Sequence, residues 1–279
     1  MSSAGSRLKA GDWALEAAPD RGGAILSLTR AGRDVLRPTP AVIADPFDLA
    51  CFPLVPYANR IASGAFLWDG EAVELPRNHV AQAHPLHGIG WLVPWTVEAA
   101  DERSVTMRLV HPGDAAWPWA FSAEQRLVLS ADGLAATLEV ANDGERAMPV
   151  SLGFHPYFAA AETLRFAASG VWLADDEMLP AKHALADALG DWSAGGALVR
   201  ADLVDHCYTG WRGRAVIARA DGDVVLTAEG ARALHVYVPP RKDFFCAEPV
   251  TAMPDAVNRG EAATLAPGER MAIGMRIGS

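Results

Sequence analysis

Arg126-Leu127-Val128-Leu129-Ser130, then Ala131-Asp132-Gly133, then Leu134-Ala135-Ala136-Thr137-Leu138-Glu139-Val140: the reading of this stretch decides the fold. Apolar and polar residues alternate on both sides of an Asp-Gly pair. Period-two alternation sends one set of side chains to a buried face, and Asp-Gly between two such runs marks a hairpin. The pattern recurs. Residues 214–219 lead through Asp221-Gly222 to residues 224–227. Leu234, Val236 and Val238 alternate with His235 and Tyr237. Near the end, Met271, Ile273, Met275 and Ile277 fall on one face, and Ala272, Gly274 and Arg276 on the other. Such runs predict half-buried antiparallel strands. The one helical pattern covers residues 181–190, where a short helix is expected. The 25 glycines and 19 prolines supply turns. No repeat of fixed period, low-complexity tract or linker divides the chain. The expectation is all-β, a large antiparallel β-sandwich, with residues 1–279 forming a single domain.

Bulk composition narrows the function classes. Of 279 residues, 51% are hydrophobic, enough for a sizeable core. The formal charge of −10 argues against a nucleic-acid surface, which needs a basic stripe. Residues 1–13 hold no apolar segment of signal-peptide type, and no apolar run approaches the ~18 residues of a membrane span. Cys51, Cys207 and Cys246 are sparse, odd in number and without CxxC spacing. They read as buried small hydrophobes in a reducing cytoplasm. No membrane or nucleic-acid partner is expected.

Five local clusters carry candidate chemistry. Asn59-Arg60, between Pro56 and Gly64, offers a fork of donors that suits sugar hydroxyls; a surface arginine paired with a carboxylate is the alternative. His79, His84 and His87 crowd one segment, but Pro85 keeps His84 and His87 off a shared helix face. A zinc site also needs a third or fourth ligand at regular spacing. His87 before Gly88 reads as a hydrogen-bonding residue on a tight loop or as a structural histidine. His155 lies in Gly153-Phe154-His155-Pro156-Tyr157-Phe158, where aromatics exclude water; a core histidine at a strand end is the other reading. Asp205 is a ligand-hydroxyl acceptor or a turn residue, with His206 and Cys207 beside it. Glu248 follows the apolar run Phe244-Phe245-Cys246-Ala247, which would raise its pKa and suit a general base. An edge glutamate neutralised by Arg241 or Lys242 is the alternative.

Taken in order, these motifs resemble the aldose 1-epimerase family, the galactose mutarotases. The matching residues are Pro56-Tyr57-Ala58-Asn59-Arg60-Ile61 with Gly64 and Phe66, then Asn78 and Leu86-His87-Gly88 with Trp91. They continue with His155-Pro156-Tyr157-Phe158, Asp205, and Glu248-Pro249 with Pro254-Asp255-Ala256-Val257-Asn258. The resemblance spans nearly the whole chain. It implies a galactose mutarotase-like supersandwich whose concave face holds a free aldose. It further implies Glu248 as general base, His155 as general acid, and Arg60, His87 and Asp205, with Asn59 beside them, as substrate-binding residues. No metal or other cofactor is implied, and the protein would act as a monomer or homodimer. A shorter length and the context around His155 depart from the best-known galactose mutarotases and bear on which sugar is used.

Three competing functions follow from the same residues. A hexose-6-phosphate 1-epimerase would need extra cations, with Arg77, Arg212, Arg214, Arg241 and Lys242 as candidates. A non-catalytic sugar-binding regulator would keep the pocket without needing the acid–base pair. A glycoside hydrolase would use Asp205 and Glu248 as two carboxylates.

Overall fold

A computed structural model describes residues 5–279. Its fold is all-β and antiparallel, as the alternation predicts. The largest sheet has nine strands, running in space from Gly196–Ala197 through Thr163–Phe166, Arg214–Ala218, Val224–Glu229, Arg270–Gly278, Gly133–Asn142, Phe121–Ser130 and Ser104–His111 to Thr96–Ala100. The Phe121–Ser130 and Gly133–Asn142 strands are the hairpin read first. Ser130 pairs with Gly133, so Ala131 and Asp132 make the turn. Gly133 has φ +127°, and a Cβ there would lie 2.2 Å from the Ile277 carbonyl oxygen. Leu127, Leu129, Leu134 and Leu138 are buried while Glu124, Arg126 and Glu139 are not.

A second sheet of eight strands carries Pro180–Leu185, Gly170–Ala174, Val204–Thr209, Ala233–Val238, Phe244–Val250, Gly153–Phe154 and Pro53–Leu54 in that order, with Tyr157–Ala159 also paired to Phe244–Val250. Its Leu234, Val236, Val238, Phe245 and Ala247 join Leu127, Leu138, Leu226 and Ile273 of the first sheet in one hydrophobic cluster. Burial between the sheets, at about 25 cal/mol per Å² of apolar area, holds the sandwich together. A four-stranded sheet begun by Ser6–Ala10 and Trp13–Ala18 adds Leu8, Trp13 and Leu15 to the same cluster.

Two expectations are corrected. Residues 181–190 form no helix: Pro180–Leu185 is a strand paired with Gly170–Ala174, followed by a turn. The alanines that favour a helix there are overridden by the edge of a sheet that supplies backbone partners. The Ala233–Val238 strand is buried on both faces rather than one. Its second face is covered by loops and packs with a smaller cluster of Phe52, Leu54, Tyr157, Cys207, Cys246 and Val250. The only helical turns among the described residues are the 3-10 segments Pro46–Asp48 and Ala62–Gly64, and no helix is long and apolar enough to cross a membrane. All three cysteines are free and buried.

Candidate active site

The second face of the eight-stranded sheet floors a cavity of about 500 Å³, within the usual range for small-molecule sites. Asn59, Arg60, His87, His155, Asp205 and Glu248 all line it. The structure therefore brings together every residue singled out for sugar binding or proton transfer. A second cavity of about 410 Å³, lined by Phe166, Asp187, Asp191 and Trp192 among others, has no imidazole or cation. Chemistry, not size, distinguishes the two.

Strand register explains the convergence. Glu248 points to the cavity because its neighbours Phe245 and Ala247 point into the core, and alternate residues face opposite ways. His235 lies directly across from Glu248 on the adjoining strand. Asp205 is opposite Tyr237, Tyr237 opposite Cys246, and Cys246 opposite Tyr157. Glu248 is thus buried on an interior strand, 2% exposed, and not an edge glutamate.

His155 enters on the segment between Gly153–Phe154 and Tyr157–Ala159, anchored by its backbone N–H donating to the Phe52 carbonyl. Its ring lies between Phe52 and Tyr157, each centroid 4.7 Å away, with His87 edge-on at 5.0 Å. Its Nε2 is 3.4 Å from Glu248 Oε1.

Two loops supply the rest. Asn59 and His87 both have positive φ, 61° and 60°. The Asn59 N–H donates to His87 Nδ1 at 3.1 Å, so the neutral His87 ring carries its proton on Nε2. Asn78 clamps the His87 loop: its Nδ2 donates to the Leu86 and Gly88 carbonyls, and its Oδ1 accepts from the Leu86 N–H. Gly88, at φ +69°, passes so close to Val55 that a Cβ would sit 2.2 Å from that carbonyl oxygen. Asp255 supports the Arg60 loop, donating its N–H to the Arg60 carbonyl and accepting from the Ala62 N–H. The Arg60 guanidinium donates to Asn59 Oδ1 and Gln82 Oε1 and has no carboxylate within 4 Å among the described residues. The reading of Arg60 as half of a surface ion pair is excluded.

The electrostatics are set by burial and by one ion pair. His235 Nε2 is 2.6 Å from Asp205 Oδ1. Burial opposes charge on both, yet Glu248 and Asp205 hold the His235 imidazole well above its ordinary range. The His235 hydrogen bond and charge keep Asp205 below the carboxylate range despite burial. The two form an imidazolium–carboxylate pair. Burial pushes Glu248 up to about 8, against the pull of His235 and Arg60. Burial and the His235 charge push His155 down to about 3. Burial and the neighbouring His155 lower His87 well below its ordinary value. Burial thus opposes charge on both members of the pair, raising the Glu248 carboxyl and lowering the His155 imidazole. Low polarity favours the uncharged arrangement of the pair.

Several lining residues escaped the sequence reading. His235 was visible only as a polar residue in an alternating strand. Arg37 stacks on Tyr157 at 4.0 Å and Phe244 at 4.5 Å, and its guanidinium donates to the Phe47 and Leu49 carbonyls. Nothing local to Arg37-Pro38 signals that role. Arg77, Arg212, Arg214, Arg241 and Lys242 do not line the cavity. As for metal ligands, His79 bonds Asp45, and the Nδ1 atoms of His84 and His87 each accept from a backbone N–H. Among the described residues, the side chains that could hold an ion together are His155, Cys246 and Glu248.

Comparison with known proteins gives a consistent picture. The family model described as aldose 1-epimerase matches residues 11–278. The uncharacterized protein YphB of Escherichia coli K12 is 33% identical over 268 residues, covering 90% of each chain. A crystal structure of a candidate aldose 1-epimerase from E. coli K12 superposes with a TM-score of 0.90 at 29% identity, over 98% of both chains. A galactose 1-epimerase from Lactobacillus acidophilus shares the fold, with a TM-score of 0.80 at 18% identity over 97% of this chain and 92% of that one.

Proposed function

This chain belongs to the aldose 1-epimerase family, and on that premise we propose that it interconverts the α and β anomers of a free aldose, with Glu248 and His155 moving the protons. One observation carries the reading: the two groups stand 3.4 Å apart in a sugar-sized cavity. Opening a pyranose removes a proton from the C1 hydroxyl and delivers one to the ring oxygen. Both oxygens are bonded to the same carbon, so a closely spaced acid and base suit the task. In this mechanism ionised Glu248 takes the hydroxyl proton and protonated His155 gives its proton to the ring oxygen. Rotation about C1–C2 turns the aldehyde face, and the same groups close the ring.

That reactive form has the same number of protons as the uncharged pair that burial favours. A bound sugar stabilises it, because the C1 hydroxyl donates to the Glu248 carboxylate and the ring oxygen accepts from the His155 imidazolium. Arg60, His87 through Nε2–H, Asn59 and Asp205 anchor the other hydroxyls. The His235–Asp205 pair keeps Asp205 anionic and so an acceptor only. It also engages the carboxylate a glycoside hydrolase would need as its second group. We take the chain as one cytoplasmic domain, its core being shared by both large sheets; residues 1–4 lie outside the described part.

The test is polarimetry on freshly dissolved α-glucose and α-galactose. Glu248→Gln should slow catalysed interconversion on the order of 10²–10⁴-fold while sugar still binds. Near-normal turnover in that variant defeats the assignment. Binding without any acceleration in the unaltered protein would identify a sugar-binding regulator. The 6-phosphate reading is favoured by one feature, two arginines in the cavity wall, Arg37 and Arg60, with no carboxylate within 4 Å among the described residues. Rates on free and phosphorylated hexoses separate the two.

A further inference from the structure

We propose that His155, Cys246 and Glu248 form a three-ligand site for a thiophilic divalent cation, zinc being the best fit, and that its occupation switches the cavity off. One ligand atom from each residue lies within 4.8 Å of the other two. Cys246 and Glu248 are two residues apart on one strand and share a face, and His155 approaches from the adjoining segment. The 3.4 Å between His155 Nε2 and Glu248 Oε1 is at the outer limit of a hydrogen bond. A tetrahedral ion with bonds of ~2.0–2.1 Å would hold a nitrogen and an oxygen ligand about 3.3 Å apart.

An independent feature points the same way. Glu248 Oε2 and His155 Nδ1 are buried with no hydrogen-bond partner, although Glu248 is 2% and His155 7% exposed. Buried polar atoms without partners are uncommon, and a ligand aimed at the site resolves the Glu248 oxygen. Thiolate, imidazole and carboxylate together suit zinc, the thiol and carboxyl protons passing to solvent as the ion binds, whereas magnesium and calcium prefer oxygen throughout. His155 and Glu248 line the cavity while Cys246 is fully buried, and three protein ligands leave a fourth position open. The ion would occupy the carboxylate and imidazole that the proposed function assigns to proton transfer, so zinc and turnover exclude each other. That consequence rests on the epimerase reading; the site itself rests on geometry alone.

The full chain, stripped with a chelator, is titrated with zinc against a chromophoric competitor. One zinc per chain is expected. Cys246→Ser should weaken binding roughly tenfold or more, and His84→Asn should leave it unchanged. Cobalt(II) should give the intense visible bands of a tetrahedral thiolate site in the unaltered protein, a readout that does not depend on any variant folding. Stoichiometric zinc should stop mutarotation, and chelator should restore it. Absence of the thiolate–cobalt absorption, or zinc binding lost in His84→Asn and kept in Cys246→Ser, overturns the site. Zinc held through Cys246 by a chain that turns over no aldose would uphold the site and overturn the epimerase reading. Turnover indifferent to bound zinc would uphold the epimerase reading and overturn the switch.

Discussion

At the residue scale the decisive neighbour is His235. Its positive charge sits across the strand pair from Glu248, favouring the carboxylate there and disfavouring a second positive charge on His155. The proposed reaction needs one proton on the Glu248–His155 pair. Activity should therefore fall below about 3, where His155 takes a second proton, and above about 8, where Glu248 loses the only one. Replacing His235 by Gln removes the nearby cation, so both pKa values rise and the bell moves to higher pH. The alkaline limb of kcat/KM, followed against pH in both proteins, checks this; a limb that stays or moves down contradicts it. Glu248 and His155 were legible in sequence because each sits in a distinctive apolar or aromatic run. His235 was not, since its meaning depends on Asp205, thirty residues away, and on loops that cover the strand's outer face.

Among the elements, the two glycines at tight approaches separate stability from catalysis. Gly133 lies in the hairpin of the nine-stranded sheet, and Gly88 in the loop that presents His87. Both have positive φ and both would drive a Cβ to 2.2 Å from a backbone oxygen. Alanine at either should lower stability by more than ~1 kcal/mol, read as a drop in thermal midpoint. Gly133→Ala should keep its KM at temperatures where it is folded, whereas Gly88→Ala should raise KM as well by displacing His87. Equal kinetics in the two variants would refute this placement of the loop. The hairpin was readable from alternation on either side of Asp132-Gly133. The strand at Pro180–Leu185 was not, because an alanine-rich segment takes the structure that its sheet neighbour offers.

Over the whole molecule, chain order and spatial order differ most at the C-terminal strand. Arg270–Gly278 lies inside the nine-stranded sheet, bonded to Gly133–Asn142 on one side and Val224–Glu229 on the other. Its Ile273, Met275 and Ile277 are buried in the common core. Deleting residues 270–279 should leave no cooperative unfolding transition by circular dichroism and a chain degraded rapidly by protease. A folded, protected truncation would show that the sheet tolerates a gap there. Period-two patterning announced this strand's buried face, but an apolar face does not say which strands flank it.

That placement bears on biosynthesis. Until residues 270–278 have left the ribosome, the rows of Leu134–Leu138 and Leu226 lack the neighbour that covers them. The nascent polypeptide must keep those rows from sticking elsewhere until then. Emergence of that strand, rather than of any earlier segment, sets the moment at which the nine-stranded sheet can be completed.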